Sequence, residues 1–236
     1  MTNYNLRIAK DDFLLSHLVK EVISDIIIDT LNRKDRCQIS LAGGSTPEQA
    51  YILLAKEDLP WSKVDVFLGD ERWVDHSSDL SNAFMLERTL FSSSFTKEAR
   101  FFRVPTLDCS TPEESAFKYQ SKIQSICSGS PPSFDLVLLG LGEDGHTASL
   151  FPGDNVLNVE DKIVSNSIGK GIDRITLTAS TLSAAKKVIF LVSGAGKKQS
   201  LQRLLDNQEP SDRTPAKLVQ TSSEILVLSD ESAATI

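Results

Sequence analysis

Two hydrophobic patterns alternate along the chain. From Asp12 to about Asn32, apolar residues recur at helical spacing, which predicts an amphipathic helix. Further on, short uninterrupted apolar runs are each followed by a turn that carries glycine or charged residues. The runs are CQISLA, VDVFLG, FDLVLLGLG, KKVIFLVSG and EILVLS. Strands that are apolar on both faces and separated by helices are typical of a parallel sheet covered on both sides.

This order of elements predicts a fold of the α/β class. We expect a doubly wound, mostly parallel sheet with helices on both faces, a modified Rossmann-like layout. A short strand is expected at RFFRV, residues 100–104, and a helical turn is expected to begin at HTASLF, residues 146–151. The chain has 236 residues and no linker long enough to separate two units, so we expect a single domain over residues 1–236.

The composition argues against nucleic acid and membranes as binding partners. The formal net charge is −7, from 25 Lys and Arg against 32 Asp and Glu, which offers no basic surface for nucleic acid or an anionic membrane. The sequence lacks the patterns of a signal peptide and of a membrane span, so we expect a cytoplasmic protein. Its three cysteines, Cys37, Cys109 and Cys127, are far apart and form no CxxC pair, so neither a disulfide framework nor a zinc site is expected.

The first candidate site follows the first of these runs, because ligands of open parallel sheets bind beyond the carboxyl ends of the strands. In LAGGSTPEQA, Gly43 and Gly44 let the backbone approach a ligand closely, while Ser45 and Thr46 offer hydroxyls and amides at a helix start. This arrangement suits a phosphate. A plain strand-to-helix turn capped by Ser45 or Thr46 fits equally well. The segment is neither a Walker A loop nor a GxGxxG motif.

The second candidate site is the charged triplet Asp70, Glu71 and Arg72, directly after VDVFLG. Burying three charged groups is costly, so the triplet is either a functional cluster or a solvated turn held by an Asp–Arg pair. The planar fork of Arg72 could bind a carboxylate or an oxyanion. Of its neighbours, His76 is expected to be exposed in a polar loop, and Trp73 to form part of a pocket wall or the core.

The third candidate is His146 in GLGEDGHTASLFPG, a glycine-rich loop after another apolar run. Asp144 or Glu143 could orient the imidazole, and imidazole is the natural side chain for drawing a proton from water. Spacing alone favours a structural histidine in a turn. Ser149 lies close by, but no GxSxG elbow surrounds it, so an acyl-enzyme is not expected.

The fourth candidate group consists of isolated cations. Lys197 or Lys198, in GAGKKQS, follows a strand and a glycine turn, and Arg174 precedes a further apolar strand in GIDRITLTAS. Each could meet an anion. Individually, each fits a solvated surface charge better. His17 lies within the first predicted helix and carries no site feature.

Taken in order, several segments resemble the 6-phosphogluconolactonase family: SLAGGSTPEQAY, VFLGDERWV, Ser81-Asn82, FDLVLLGLGEDGHTASLFPG, RITLTASTLSAAKKVIFLVSGAGKK and TPAKLVQ. The resemblance runs from about Ile39 to Val227, and GEDGHTASLFPG is highly specific. It implies hydrolysis of 6-phospho-D-glucono-1,5-lactone, a small sugar-phosphate lactone, in the oxidative pentose phosphate pathway. No metal ion or other cofactor is implied. The oligomeric state stays open between a monomer and a weak dimer.

The resemblance also implies roles for residues of this chain. It makes His146 the general base or acid with Asp144 beside it, and it places Asp70 and Arg72 near the lactone. The residues that it implies for the 6-phosphate site are Gly43, Gly44, Ser45, Thr46, Arg174 and Lys197. Lys217, in TPAKLVQ, stands where the family usually has a small residue, so its role stays open.

Two alternatives remain at this point. The related glucosamine-6-phosphate deaminase family shares the fold and a DGH motif, but it has a catalytic glutamate before its proline and a tyrosine after its DE pair. Here Leu150 and Phe151 precede the proline and Arg72 follows the pair, which favours lactone hydrolysis. A non-catalytic sugar-phosphate sensor is the other alternative. Such sensors commonly carry an added DNA-binding segment, and neither the length nor the charge of this chain suggests one.

Overall fold

The sheet that carries the site is parallel throughout. The computed structural model describes residues 2–234. The strands in this range are β1 Tyr4–Ala9, β2 Cys37–Leu41, β3 Val64–Leu68, β4 Asp70–Arg72, β5 Arg100–Phe102, β6 Leu136–Gly140, β7 Val164–Gly169, β8 Ile172–Leu177, β9 Val188–Val192 and β10 Ile225–Asp230. Seven of them pair in the order β1-β10-β9-β6-β2-β3-β5, each with parallel neighbours. Strands β2, β3 and β9 are buried at every position, which explains their uninterrupted apolar sequence.

A second, antiparallel sheet covers part of the carboxyl edge of the first. Its strands lie in the order β4-β8-β7. The sequence pattern did not predict this sheet, and it placed Arg174 before a strand. Arg174 instead lies inside β8, where it is paired with Arg72 of β4. The fold is therefore mostly parallel, as predicted, with a small antiparallel addition beside the site.

The helices follow the strands as the periodicity predicts. They are α1 Asp12–Leu31, α2 Glu48–Leu54, α3 Asn82–Arg88, α4 Pro112–Gln124, α5 Ala179–Ser183, α6 Lys198–Leu205 and α7 Glu231–Ala234. Helix α1 begins after Asp11, whose carboxylate accepts a hydrogen bond from the Leu14 amide at 2.8 Å, the usual arrangement of an N-cap. None of the described helices combines the length and the apolar character needed to cross a membrane.

The direction of the chain through the parallel sheet reverses in the middle. After β2 the chain moves outward through β3 to β5, whereas after β6 it moves the opposite way through β9 to β10. Right-handed crossovers put the helices of these two halves on opposite faces of the sheet. The neighbours β2 and β6 therefore flank a topological switch point, and the loops at their carboxyl ends border a crevice, the usual ligand site of such sheets.

Buried acids fix the opposite, amino edge of the sheet. Asp65 of β3 is fully buried and accepts hydrogen bonds from Arg36, Arg100 and Gln38. Desolvation alone would raise the pKa of the Asp65 carboxyl, but these hydrogen bonds outweigh it and lower the pKa to about 2. Buried Asp135 is held in the same way by Lys34 and by Lys186. This edge contributes to stability and lies at the end of the sheet away from the switch point.

Candidate functional site

A cleft of about 330 Å³ lies at the carboxyl edge of the sheet, at the switch point. It brings together residues that are far apart in sequence. Of the predicted site residues, those that line it are Gly43, Gly44, Ser45, Thr46, Asp70, Arg72, His146, Arg174 and Lys197. Asp144 does not line the cleft but contacts the side chain of His146. The strand-end loops therefore converge as the topology predicts.

His146 and Asp144 form a close pair. The Nδ1 atom of His146 lies 2.5 Å from Oδ1 of Asp144, and the backbone amide of His146 donates to the same oxygen at 3.1 Å. The hydrogen bond from the imidazole, with the amide bond and the nearby ring, lowers the pKa of Asp144 to about 2 although partial burial opposes this. An ionised Asp144 makes Nδ1 the protonated ring nitrogen of a neutral imidazole, so Nε2 is the basic one.

Glycines make room for this pair. A Cβ atom at Gly142 would lie 2.0 Å from Nδ1 of His146 and 2.5 Å from Oδ1 of Asp144, so only glycine fits there. Gly145 has a φ of +90°, and its carbonyl accepts a hydrogen bond from the Ala216 amide at 3.0 Å. The glycines of this loop therefore serve the geometry of the histidine as well as the turn.

The prediction of a helical turn at residues 146–151 is wrong. Ala148 has a φ of +48°, which is incompatible with a right-handed helix. The hydroxyl of Thr147 donates back to the Gly140 carbonyl at the end of β6, at 2.8 Å. The segment is thus a tight non-helical loop, and this loop turns Ser149 into the interior.

Phe151 lies between two of the polar groups in the cleft. Its ring centroid is 4.5 Å from that of His146, and the guanidinium carbon of Arg174 lies 5.4 Å from the same ring. A Cβ atom at Gly169 would lie 2.2 Å from this ring, so glycine at the end of β7 lets it fit. The aromatic ring therefore fixes the spacing between the imidazole and the guanidinium.

The charged triplet alternates sides because β4 is extended. Asp70 and Arg72 line the cleft, whereas the carboxylate of Glu71 is fully buried beside the start of α3. There Glu71 accepts hydrogen bonds from the amides of Asn82 and Ala83, both at 2.7 Å. Burial raises the pKa of Glu71, and these amide bonds oppose the rise. Glu71 thus anchors a helix, and the other two charged residues form the cluster in the cleft.

Asp70 is held by two partners inside the cleft wall. The hydroxyl of Ser149 donates to Oδ2 of Asp70 at 2.6 Å, and Nη1 of Arg174 lies 3.9 Å from the same oxygen. Ser149 is buried, so its hydroxyl positions Asp70. This contact agrees with the expectation that Ser149 is no nucleophile.

The two cleft arginines each retain an unpaired donor. Nη1 of Arg72 donates to the Leu80 carbonyl, and Nη2 of Arg174 donates to the Gly169 carbonyl at 3.4 Å. The Nε atoms of both are buried and have no partner among the described residues. Burial lowers the pKa of Arg174, a sign of how costly this charge is without a counter-ion. Both arginines line the cleft, where a guanidinium group suits an anionic or carbonyl ligand.

The loop after β2 has the open backbone expected of an anion cradle. Gly44 has a φ of +87°, and a Cβ atom at Gly43 would lie 1.9 Å from Oδ1 of Asn82. No side chain caps α2, so the alternative in which Ser45 or Thr46 serves as its cap does not apply. Both residues line the cleft instead.

Of Lys197, Lys198 and Lys217, the first alone lines the cleft. Lys197 lines the cleft from a short 3₁₀ turn after β9, whereas the adjacent Lys198 does not belong to the cleft lining. Lys217 lies elsewhere: its Nζ atom donates to the carbonyls of Leu204 and Asp206, at 3.1 and 2.6 Å. A cation at these carbonyls stabilises the end of α6, which gives Lys217 a structural role.

Asn82 and Lys170 also line the cleft, although the sequence did not single them out as site residues. Asn82 is buried and donates from Nδ2 to the Asp70 carbonyl at 2.8 Å. Its only sequence signal was its place in the Ser81-Asn82 pair. Lys170 lies in the turn between β7 and β8, a hairpin that was not predicted. His76 is partly exposed, 3.3 Å from Asp108, and does not line the cleft.

Within residues 2–234, no cluster of three or more His, Cys, Asp or Glu side chains is arranged to hold a metal ion. The described cysteines are buried and unpaired. The groups that the cleft offers are an imidazole–carboxylate pair, two arginines, two lysines and backbone amides.

Known proteins resemble this chain over nearly its whole length. Residues 10–228 match the family model described as glucosamine-6-phosphate isomerases/6-phosphogluconolactonase. The 6-phosphogluconolactonase of Nostoc sp. is 37% identical over 210 residues, which cover 87% of each chain. That of Synechocystis sp. is 37% identical over 198 residues, 83% of this chain and 82% of the relative. The solved structure of 6-phosphogluconolactonase from Trypanosoma brucei superimposes with a TM-score of 0.88 at 28% identity, covering 99% of this chain and 98% of the other.

Proposed function

Because the chain belongs to the glucosamine-6-phosphate isomerase/6-phosphogluconolactonase family, we propose that it hydrolyses 6-phospho-D-glucono-1,5-lactone to 6-phospho-D-gluconate. In metabolism this reaction is the lactonase step of the oxidative pentose phosphate pathway. One observation carries the proposal: the His146–Asp144 pair lies at the same cleft as the cations and backbone amides of an anion site. The lactonase relatives at 37% identity support the same substrate.

The phosphate binds first and fixes the orientation of the sugar. Its partners are the backbone amides and hydroxyls of the loop from Gly43 to Thr46, together with Arg174 and Lys197. Holding one end of a flexible substrate lowers the entropic cost of bringing its other end to a catalytic group. The neutral lactone carbonyl then lies within reach of His146.

His146 activates water for attack on C1 of the lactone. The carboxylate of Asp144 holds the proton on Nδ1, so that Nε2 accepts a proton from water as the water oxygen bonds to C1. The carbonyl oxygen becomes an oxyanion in this step. The guanidinium of Arg72, which lines the cleft, supplies a donor for it, since a preformed donor stabilises developing charge most in a partly enclosed site.

Collapse of the tetrahedral intermediate breaks the bond between C1 and the ring oxygen. The imidazolium of His146 returns its proton to that oxygen, which becomes the 5-hydroxyl of the product. The new carboxylic acid loses its proton to solvent, so the enzyme ends in its starting state. No covalent intermediate is needed, and Asp70, held by Ser149, orients Arg174.

The experiment that tests this function compares two reactions of the wild-type protein. Lactone generated freshly in the assay should disappear faster than it does spontaneously, whereas glucosamine 6-phosphate should release no ammonia. Ammonia release without acceleration of lactone hydrolysis would instead identify a deaminase.

A further inference from the structure

Lys170 occupies the tip of the hairpin between β7 and β8 and lines the cleft. Gly169 and Ile172 form the last pair of the ladder, which leaves Lys170 and Gly171 as a two-residue turn. Both turn residues have positive φ values, +53° and +75°. This combination defines a type I′ turn, in which asparagine or glycine is the usual first residue.

The turn itself does not account for a lysine at this position. A left-handed backbone disfavours lysine because its Cβ atom crowds the neighbouring carbonyl, a strain that glycine avoids and asparagine tolerates. Lys170 is exposed, and its ammonium has no hydrogen bond or ion pair with any described residue. Because Lys170 is strained and its ammonium has no described partner, a ligand in the cleft best explains the lysine at this position.

The base of the hairpin is fixed to the catalytic wall of the cleft. The close approach of Gly169 to the ring of Phe151 leaves no room for a side chain, and the Gly169 carbonyl accepts a hydrogen bond from Arg174. The same Phe151 ring contacts His146. The backbone of Lys170 is therefore held one residue from these contacts, beside the predicted phosphate ligand Arg174.

The charges in the cleft indicate which group of the ligand Lys170 binds. The lining includes Arg72, Arg174, Lys197 and Lys170 as cations, against the single carboxylate of Asp70. A phosphorylated lactone carries all of its formal charge on the phosphate, because its lactone end is neutral. An ammonium at the edge of the cleft therefore acts on the phosphate.

On the basis of the proposed function, we propose that Lys170 is a specificity-determining residue that binds the 6-phosphate from the hairpin side of the cleft. It favours phosphorylated over unphosphorylated lactones. It takes no part in the proton transfers, so its contribution falls on KM and on substrate choice. Because the ammonium is exposed, its effect is modest and falls as salt concentration rises.

Asparagine at position 170 separates this role from a structural one. Lys170→Asn removes the charge and suits the type I′ turn, so the melting temperature should stay unchanged or rise. Lys162→Asn is the matched control, since Lys162 is exposed, precedes β7 and does not line the cleft. We expect Lys170→Asn to raise KM for the phosphorylated lactone about two- to fivefold with kcat unchanged. KM for unphosphorylated glucono-1,5-lactone should not change, and Lys162→Asn should match the wild type.

Binding of inorganic phosphate, followed by calorimetry, supplies a readout that does not depend on catalysis. Lys170→Asn should weaken phosphate binding by a similar factor. Wild-type phosphate affinity and KM in Lys170→Asn would overturn the inference, as would a fall in kcat at unchanged KM, which would move Lys170 to the reacting end. A wild-type protein that binds phosphate through Lys170 but hydrolyses no lactone would leave the inference standing and refute the proposed function.

Discussion

Arg72 and Arg174 lie directly opposite each other on the antiparallel strands β4 and β8. Like charges at such positions repel, and the nearest carboxylate, Asp70, reaches Arg174 only at 3.9 Å. Each arginine also keeps a buried Nε–H without a described partner. Two guanidinium groups at this spacing are electrostatically unfavourable by themselves, and an anion bound beside them offsets the repulsion.

Anion binding should accordingly stabilise the protein. Saturation with 6-phosphogluconate at about 100 times its Kd is worth roughly 2.7 kcal/mol, which raises the melting temperature by several degrees in thermal unfolding. Arg174→Gln should lose most of this increase. Sodium chloride at matched ionic strength is the control, and equal shifts in the variant and the wild type would remove Arg174 from the anion site.

Lys197 and Lys198 provide an internal comparison, because only the former lines the cleft. Because we propose that Lys197 binds the phosphate by a charge-assisted hydrogen bond, Lys197→Ala should raise KM for the lactone by about tenfold or more, with a smaller effect on kcat. Lys198→Ala should behave as wild type in the same steady-state assay. Equal effects of the two substitutions would point to general electrostatics in place of a contact.

Asp144→Asn should lower kcat by about 100-fold or more with little change in KM, because the imidazole loses the carboxylate that fixes its proton on Nδ1. The exposed neighbour Glu143 gives the control Glu143→Gln. The lowered pKa of Asp144, about 2, keeps its carboxylate ionised above about pH 4. The pH–rate profile of the wild type should therefore show no inflection from Asp144 between about pH 5 and 8. A full-rate Asp144→Asn variant would show that the pair is not catalytic.

Asp65 predicts how stability depends on pH away from the cleft. Its folded pKa of about 2 lies below the unfolded value, so its contribution is complete above about pH 4 and is lost as the pH falls through about 2. Asp65→Asn should cost roughly 2 kcal/mol of unfolding free energy at pH 7, and the difference should vanish toward about pH 2. Denaturant titrations at several pH values measure this. A cost independent of pH would assign the loss to packing.

The sequence predicted the elements that are buried on both faces, because only those have uninterrupted apolar runs. Strands β2, β3, β6, β9 and β10 were found in this way, whereas α1 was found from the helical spacing of its apolar residues. The pattern missed β1, which lies at the edge of the sheet and alternates with polar residues. It also missed the second sheet, since the strand DER at residues 70–72 is wholly charged and VSNSIG at 164–169 is half polar.

The site residues that follow directly after strand ends could be predicted from the sequence pattern. Gly43, Asp70 and His146 follow the parallel strands β2, β3 and β6, whose carboxyl ends lie at one edge of the sheet. Phe151 contacts Arg174, which is distant in the sequence, so no local pattern predicts this contact. Lys170 was missed because the half-polar sequence of β7 did not predict a strand, so its hairpin with β8 was not predicted either. The helical turn predicted after His146 failed because Thr147 and Ala148 adopt local contacts that composition does not reveal.

The most direct test of the account is the rate of hydrolysis of freshly generated 6-phosphogluconolactone, corrected for the spontaneous reaction, by the wild type and by His146→Ala. The ring of His146 lies at the cleft surface, so the variant should fold and should keep its phosphate affinity. We expect rapid hydrolysis by the wild type and a loss of about 100- to 10,000-fold in kcat for His146→Ala. A His146→Ala variant with the wild-type kcat would contradict this expectation.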